Sequence, residues 1–207
     1  MTTATRSVRN ERLALDVLDR WGLLLVQDAK LPNLAETIVG SPVVGSWWAH
    51  PRSREIFRAA SALESRRDVL AVKLVDGKVT FVHARFVAWV VAVGLARERW
   101  QVRGLSSVAR VLLEQVDAEG RLRASGAAAK QLEHSLLVAS ESVHTESGKH
   151  VTELISWTRL ARDRAITRRP TSTEARAGLE SLLRSINAFH GGRARLPWER
   201  IRSLRPR

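Results

Sequence analysis

Apolar positions along this chain switch between two spacings, and the switches mark its elements. From Asn10, a plausible cap, Leu13, Val17, Leu18 and Trp21 recur at helical spacing with Asp16, Asp19 and Arg20 between them. This predicts an amphipathic helix running to about Leu25, behind a frayed start at residues 1–8. Pro32 ends that element, Asn33 is placed to cap the next, and Leu34 and Ile38 give a short helix over 33–39 one apolar stripe. Gly40-Ser41-Pro42 breaks it, and Gly45-Ser46-Trp47-Trp48-Ala49-His50-Pro51 reads as a turn. Pro51 suits the first turn of a second helix, to Glu64, where its missing N–H costs nothing. Ile56, Phe57, Ala60 and Leu63 form the expected buried face, leaving Arg52, Arg54 and Arg58 on the free side. The spacing then changes to two. Val69, Ala71, Lys73 and Val75 alternate with Leu70, Val72 and Leu74, Asp76-Gly77 supplies a type I′ turn, and Val79 to His83 returns as a strand.

Phe86 to Arg99 is apolar on nearly every side and predicts a buried central helix. Trp100 to Gly104 leads out of it, and a soft boundary is expected there. Ser106 or Ser107 caps a helix carrying Val108, Val111, Leu112 and Val116 and ending at Gly120. Gly126 to His134 reads as a short helix and Leu136 to Thr145 as a strand or tight hairpin. A helix is expected over Gly148 to Ala165, and Ser172 caps a last one with Leu179, Leu182, Leu183 and Ile186. The fold class expected is mainly α with short β-hairpins. Helix, turn, basic helix and hairpin at 33–84 follow the order of a winged helix-turn-helix. Similar architecture recurs at 106–145 without repeating the residues, which leaves open a second such unit in tandem. The expected divisions are 1–104, 105–190 and a basic tail, 191–207.

Charge changes the picture most. Of 207 residues 34 are basic and 21 acidic, giving +13 and a pI of about 11.5. Such a surface attracts polyanions, and counterion release from nucleic acid supplies affinity that falls with salt. Only five of the cations are Lys and 29 are Arg, the better bidentate partner for phosphate and guanine. From Arg159 onward there are 13 Arg against four acidic residues, either a solvated face and loose end or an arm that neutralises phosphates. Cysteine is absent, which excludes disulfides, thiolate-bound metal and a Cys nucleophile. The longest near-apolar run, Phe86 to Ala96, has 11 residues, short of the roughly 20 that a spanning helix needs. No apolar segment follows Arg6 as a signal peptide would require, so a cytoplasmic protein without a membrane partner is expected.

Candidate chemistry is sparse. Adjacent Trp47 and Trp48 cannot both face one core from a turn. Either both pin the turn, with Pro51 and Trp89, or one is exposed to stack on an unpaired base or wedge a duplex step. His50 and His83 sit at element ends, where a lone His is most often a hydrogen-bonding structural residue. His144-Thr145-Glu146-Ser147-Gly148-Lys149-His150 holds acid–base groups, with His144 and Glu146 as candidates. Its H-x-E-x3-H spacing matches no established metal motif, so neither metal nor cofactor is expected. Phosphate-cradling glycine loops and a nucleophile elbow are absent from the sequence.

G-S-W-W-A-H-P at 45–51, D-V-L-A-V-K-L-V-D-G-K-V-T-F-V-H at 68–83 and V-H-T-E-S-G-K-H at 143–150 resemble an uncharacterised group of small bacterial proteins. That group carries no assigned activity, so the resemblance implies no function. In fold, the N-terminal half is similar to winged-helix DNA-binding domains, including those from which some DNA glycosylases are assembled. The Gln-x-Gln motif of that glycosylase family is absent. The function expected is therefore binding of nucleic acid, chiefly double-stranded DNA. Trp47, Trp48, Arg52, Arg54 and Arg58 are the helix-side contacts, with Lys73, Lys78, Arg168 and Arg169 on phosphates. The alternatives are a nucleic-acid-processing enzyme of the DNA-repair or base-excision type, using His50, His144 or Glu146, and an adaptor that contacts another protein.

Overall fold

Gly22 decides the first departure from the expected pattern. The computed structural model describes residues 3–144 and 150–202. Helix α1 (Thr3–Trp21) begins well before Asn10, which is buried at 5% exposure and donates its side-chain amide to Glu55 at 3.2 Å. Gly22, at φ 75°, donates its N–H to Leu18 O at 2.7 Å and turns the chain into strand β1 (Leu23–Leu25) where helix was expected. Helix α2 (Leu34–Val39) is capped as expected, the Asn33 Oδ1 accepting from the Glu36 N–H at 2.9 Å. A short 3-10 turn at Trp47–Ala49 leads to α3 (Ser53–Glu64), then β2 (Val69–Lys73) and β3 (Val79–His83). The hairpin turns through Asp76 and Gly77 at φ 52° and 67°, the left-handed pair that a type I′ turn needs.

Strand β3 lies between the other two, in an antiparallel sheet of order β1-β3-β2. Its side chains alternate between two cores. Leu24 and Phe81 face one core with Ile56, Leu63 and Leu34, while Leu23, Leu70 and Val82 face another. Covering on both faces is why Leu23-Leu24-Leu25 is apolar without a break.

Helix α4 (Ala84–Ala96) buries Val87, Val90, Val91 and Val93 and is capped by His83, whose Nδ1 accepts from the Arg85 N–H at 3.2 Å. After α5 (Arg99–Val102) come α6 (Ser107–Glu119), β4 (Arg121–Arg123), α7 (Gly126–His134), β5 (Ala139–His144) and β6 (His150–Ile155). Helices α8 (Trp157–Asp163), α9 (Ser172–His190) and α10 (Pro197–Arg202) follow. The helix expected over 148–165 is thus a strand and a short helix. Strand β6 is held by pairing with both β4 and β5, and the Ser156 hydroxyl caps α8 only from Trp157 onward. The cap of α9 is Thr171, in a capping box with Glu174, one residue ahead of the expected Ser172.

The second sheet has the order β4-β6-β5, again with the last strand in the middle. The chain is therefore a mixed helix-and-sheet protein with two small three-stranded antiparallel sheets. A core of Leu113, Val116, Leu132 and Leu154 belongs to the second sheet, as the Leu24–Phe81 core does to the first. The third and largest crosses residue 104, joining Leu23, Leu70 and Val90 to Leu136, Ile155, Trp157 and Leu179. The segment after Gly191, expected as a basic tail, is packed as far as Trp198, whose Nε1 donates to Glu180 at 2.7 Å. Among the described residues no helix is long and apolar enough to cross a membrane.

Candidate nucleic-acid interface

Helix α3 divides into faces. Ile56, Ala59, Ala60 and Leu63 are buried. Arg54, Arg58, Ser61 and Ser65, at i, i+4, i+7 and i+11, share the solvent side. Arg54 and Arg58 are exposed and make no ion pair among the described residues. Arg67, just past the helix, is exposed and likewise unpaired among them.

Arg52 has a different fate. It precedes the helix, and its Nη2 donates to Glu55 Oε2 at 2.7 Å while Nε reaches Oε1 at 3.3 Å. Its Nη1 donates to Val39 O at 3.1 Å, so the side chain clamps the start of α3 to the end of α2. Glu55 also accepts from Asn10 and lies 3.6 Å from Arg6. The hydrogen bonds from Arg52 hold its carboxyl down at about 2, well below the usual carboxylate range. Arg52, expected on the free side as a contact for DNA, thus clamps α2 to α3.

The hairpin lysines are committed as well. Lys73 Nζ lies 2.7 Å from Glu133 and Lys78 Nζ 2.7 Å from Asp28. The turn itself is docked: Asp76 donates its N–H to Arg195 O at 2.9 Å and accepts from the Arg195 N–H at 3.2 Å. An outstretched wing with two free cations does not form. The docking instead brings exposed Arg195 to the hairpin's tip. Arg168 and Arg169 are exposed in the α8–α9 connection, without ion pairs among the described residues.

Gln27 builds the tryptophan turn. Its Nε2 donates to Val43 O at 3.2 Å and Gly45 O at 2.6 Å, and its Oε1 accepts from the Trp47 N–H at 3.1 Å. The two indoles stack at 3.9 Å, and Trp48 tilts over Phe57 at 5.8 Å. Trp47 packs on the first core, whereas Trp48 stays 61% exposed. Trp89 belongs elsewhere, against Phe86 and Gly178.

His50 is spent on local structure, its Nδ1 accepting from the Arg52 N–H at 3.1 Å. His144 pairs with His150 in the β5–β6 register, and Glu146 lies outside the described residues with the rest of 145–149. No cluster of three or more metal-ligating side chains occurs among the described residues.

Sequence reasoning missed a groove. A cavity of about 850 Å³ opens between α3 with the β2–β3 hairpin on one side and β5–β6 on the other. Trp48, Phe57 and Glu64 line it from one side and Ser140 and Glu141 from the other, with Arg164 also in the lining. Withdrawal from water in the groove pushes the Glu64 carboxyl up, and the charge of Glu141 adds to it. Burial pushes Arg164 down, and its guanidinium donates to Arg67 O at 3.1 Å and Val69 O at 2.8 Å. No local pattern signals this groove, because its walls come from residues about 80 positions apart.

No family model, curated protein or solved structure matches the chain.

Proposed function

We propose that the chain is a DNA-binding protein that meets double-stranded DNA through the Arg54–Arg58 face of α3. The observation that carries the reading is that pair of exposed guanidiniums, on one helical face and free of carboxylates among the described residues. Support comes from the net charge of +13 and from the element order. The order α1-β1-α2-α3-β2-β3 with sheet order β1-β3-β2 agrees with a winged helix-turn-helix reading, in which α3 would be the helix offered to the groove. The recurrence of that sheet order in β4-β6-β5 agrees with a second, shorter unit of the same kind. With the hairpin docked, Arg67, Arg168 and Arg169 are the remaining phosphate contacts, and a cytoplasmic location accords with this role.

Each phosphate neutralised steepens the salt dependence by roughly 0.9 in log–log slope. Replacing Arg54 and Arg58 together with Ala is expected to weaken duplex binding and lower that slope by about 2. Fluorescence anisotropy across several salt concentrations reads both quantities. Affinity and slope equal to wild type would end this reading.

A nucleic-acid-processing enzyme of the base-excision type is the second reading, favoured by exposed Trp48 beside α3. Abasic sites formed on damaged but not undamaged duplex would select it over simple binding.

A further inference from the structure

Among the groove's charged side chains, Glu64 differs in having no partner. Lys73 is neutralised by Glu133, which also accepts from the Ser140 hydroxyl at 2.6 Å. Glu141 lies 3.2 Å from Arg121, and Arg164 donates through its Nη1 to two backbone carbonyls. Glu64 makes no hydrogen bond or ion pair among the described residues, yet it opens into the cavity. On the same wall, seven residues earlier on α3, Phe57 meets the exposed indole of Trp48. A carboxylate without a counter-charge thus stands beside an aromatic wall, in a cavity within the roughly 300–1,000 Å³ range of small-molecule sites.

We infer that this groove is a binding site for a planar organic cation, an aromatic amidinium or guanidinium. The ring would lie against Trp48 and Phe57, where the π-faces attract positive charge. The cationic N–H groups would donate to Glu64, a charge-assisted pairing stronger than one between neutral groups. Phosphate-bearing molecules are disfavoured at Glu64, since the side chain without a partner is itself an anion. Nothing in the groove's chemistry depends on duplex binding, so the two readings succeed or fail apart.

Benzamidine is the probe and benzamide its uncharged counterpart, each titrated into the full chain without DNA by calorimetry and by tryptophan fluorescence. Benzamidine is expected to bind saturably at one site and benzamide not to. Glu64→Gln and Trp48→Ala should each weaken benzamidine about tenfold, through loss of the charged partner and of the ring face. Glu64 makes no hydrogen bond or ion pair among the described residues, so Glu64→Gln should melt as wild type does, whereas Trp48→Ala also removes the stacking on Trp47. If Trp48→Ala does unfold, Glu64→Gln alone decides. Absence of saturation, equal binding of benzamide, or undiminished binding by the folded variants would each overturn the inference.

Discussion

Arg52 and Arg54 are two residues apart and identical in chemistry, yet only one is free. Arg52 lies three residues ahead of Glu55, within reach of its carboxylate, whereas Arg54 begins the solvent stripe. Arg52→Ala removes donors from Glu55 and from Val39 O, costing about 1 kcal/mol for a partly exposed pair. Its melting temperature should fall while the salt slope of duplex binding stays as in wild type, the reverse of the Arg54/Arg58 double variant. Glu55 adds a pH test. Its carboxyl sits at about 2 when folded, below the usual glutamate value of 4.5, so folding favours the ionised form. That contribution is complete above the unfolded value and is lost as pH falls through the folded one. Urea denaturation of wild type and Glu55→Gln should therefore differ near neutrality and converge as pH drops from 4.5 toward 2. A gap that persists in acid would mean that Glu55 acts through shape, not charge.

At the scale of elements, α4 and α9 meet through glycine. A Cβ on Gly178 would overlap the ring of Trp89, and one on Gly94 that of Trp157. Gly178→Ala gains helix propensity but overpacks this contact, with a net loss of about 1–3 kcal/mol expected in thermal or urea melts. Equal or greater stability would show that Trp89 can rotate aside. Elements governed by local chemistry were legible beforehand. The Asn33 cap, the Asp76-Gly77 hairpin, the apolar α4 and the Ser106 cap of α6 each follow from neighbours in sequence. Elements that owe their form to distant partners were not. Leu23-Leu24-Leu25 continues a helical pattern until Gly22 breaks it and β3 takes up the strand. Val151, Leu154, Ile155 and Trp157 satisfy helical spacing, yet β6 is fixed by pairing on both edges. For the candidate site, the exposed arginines of α3 were readable from its apolar stripe. The carboxylates that disarm Lys73 and Lys78 were not, since Glu133 and Asp28 arrive from 60 and 50 residues away.

At the scale of the molecule, the question is whether residue 104 separates two folding units. Each sheet has a core of its own, but the first sheet's other face is closed by the second half of the chain. Leu23, Leu70, Val82 and Val90 would lose Leu136, Ile155, Trp157 and Leu179 if the chain were cut there. Exposing one such side chain costs about 1.5–3 kcal/mol, so uncovering four costs roughly 6–12 kcal/mol, comparable to a typical domain's whole net stability of about 5–15 kcal/mol. A fragment of residues 1–104 should therefore lack fixed tertiary structure, with weak near-UV circular dichroism and poorly dispersed amide resonances. The whole chain, by the same logic, should unfold in one transition seen alike by far-UV and tryptophan signals. Two separated transitions, or a folded fragment, would instead mean that the Leu24–Phe81 core suffices by itself and that the shared core only joins finished units. The first outcome ties the α3 face to the integrity of α8 and α9. Substitutions at Trp157 or Leu179, far from Arg54 in sequence, would then weaken duplex binding through loss of folded protein, and the binding that survives would keep its salt slope.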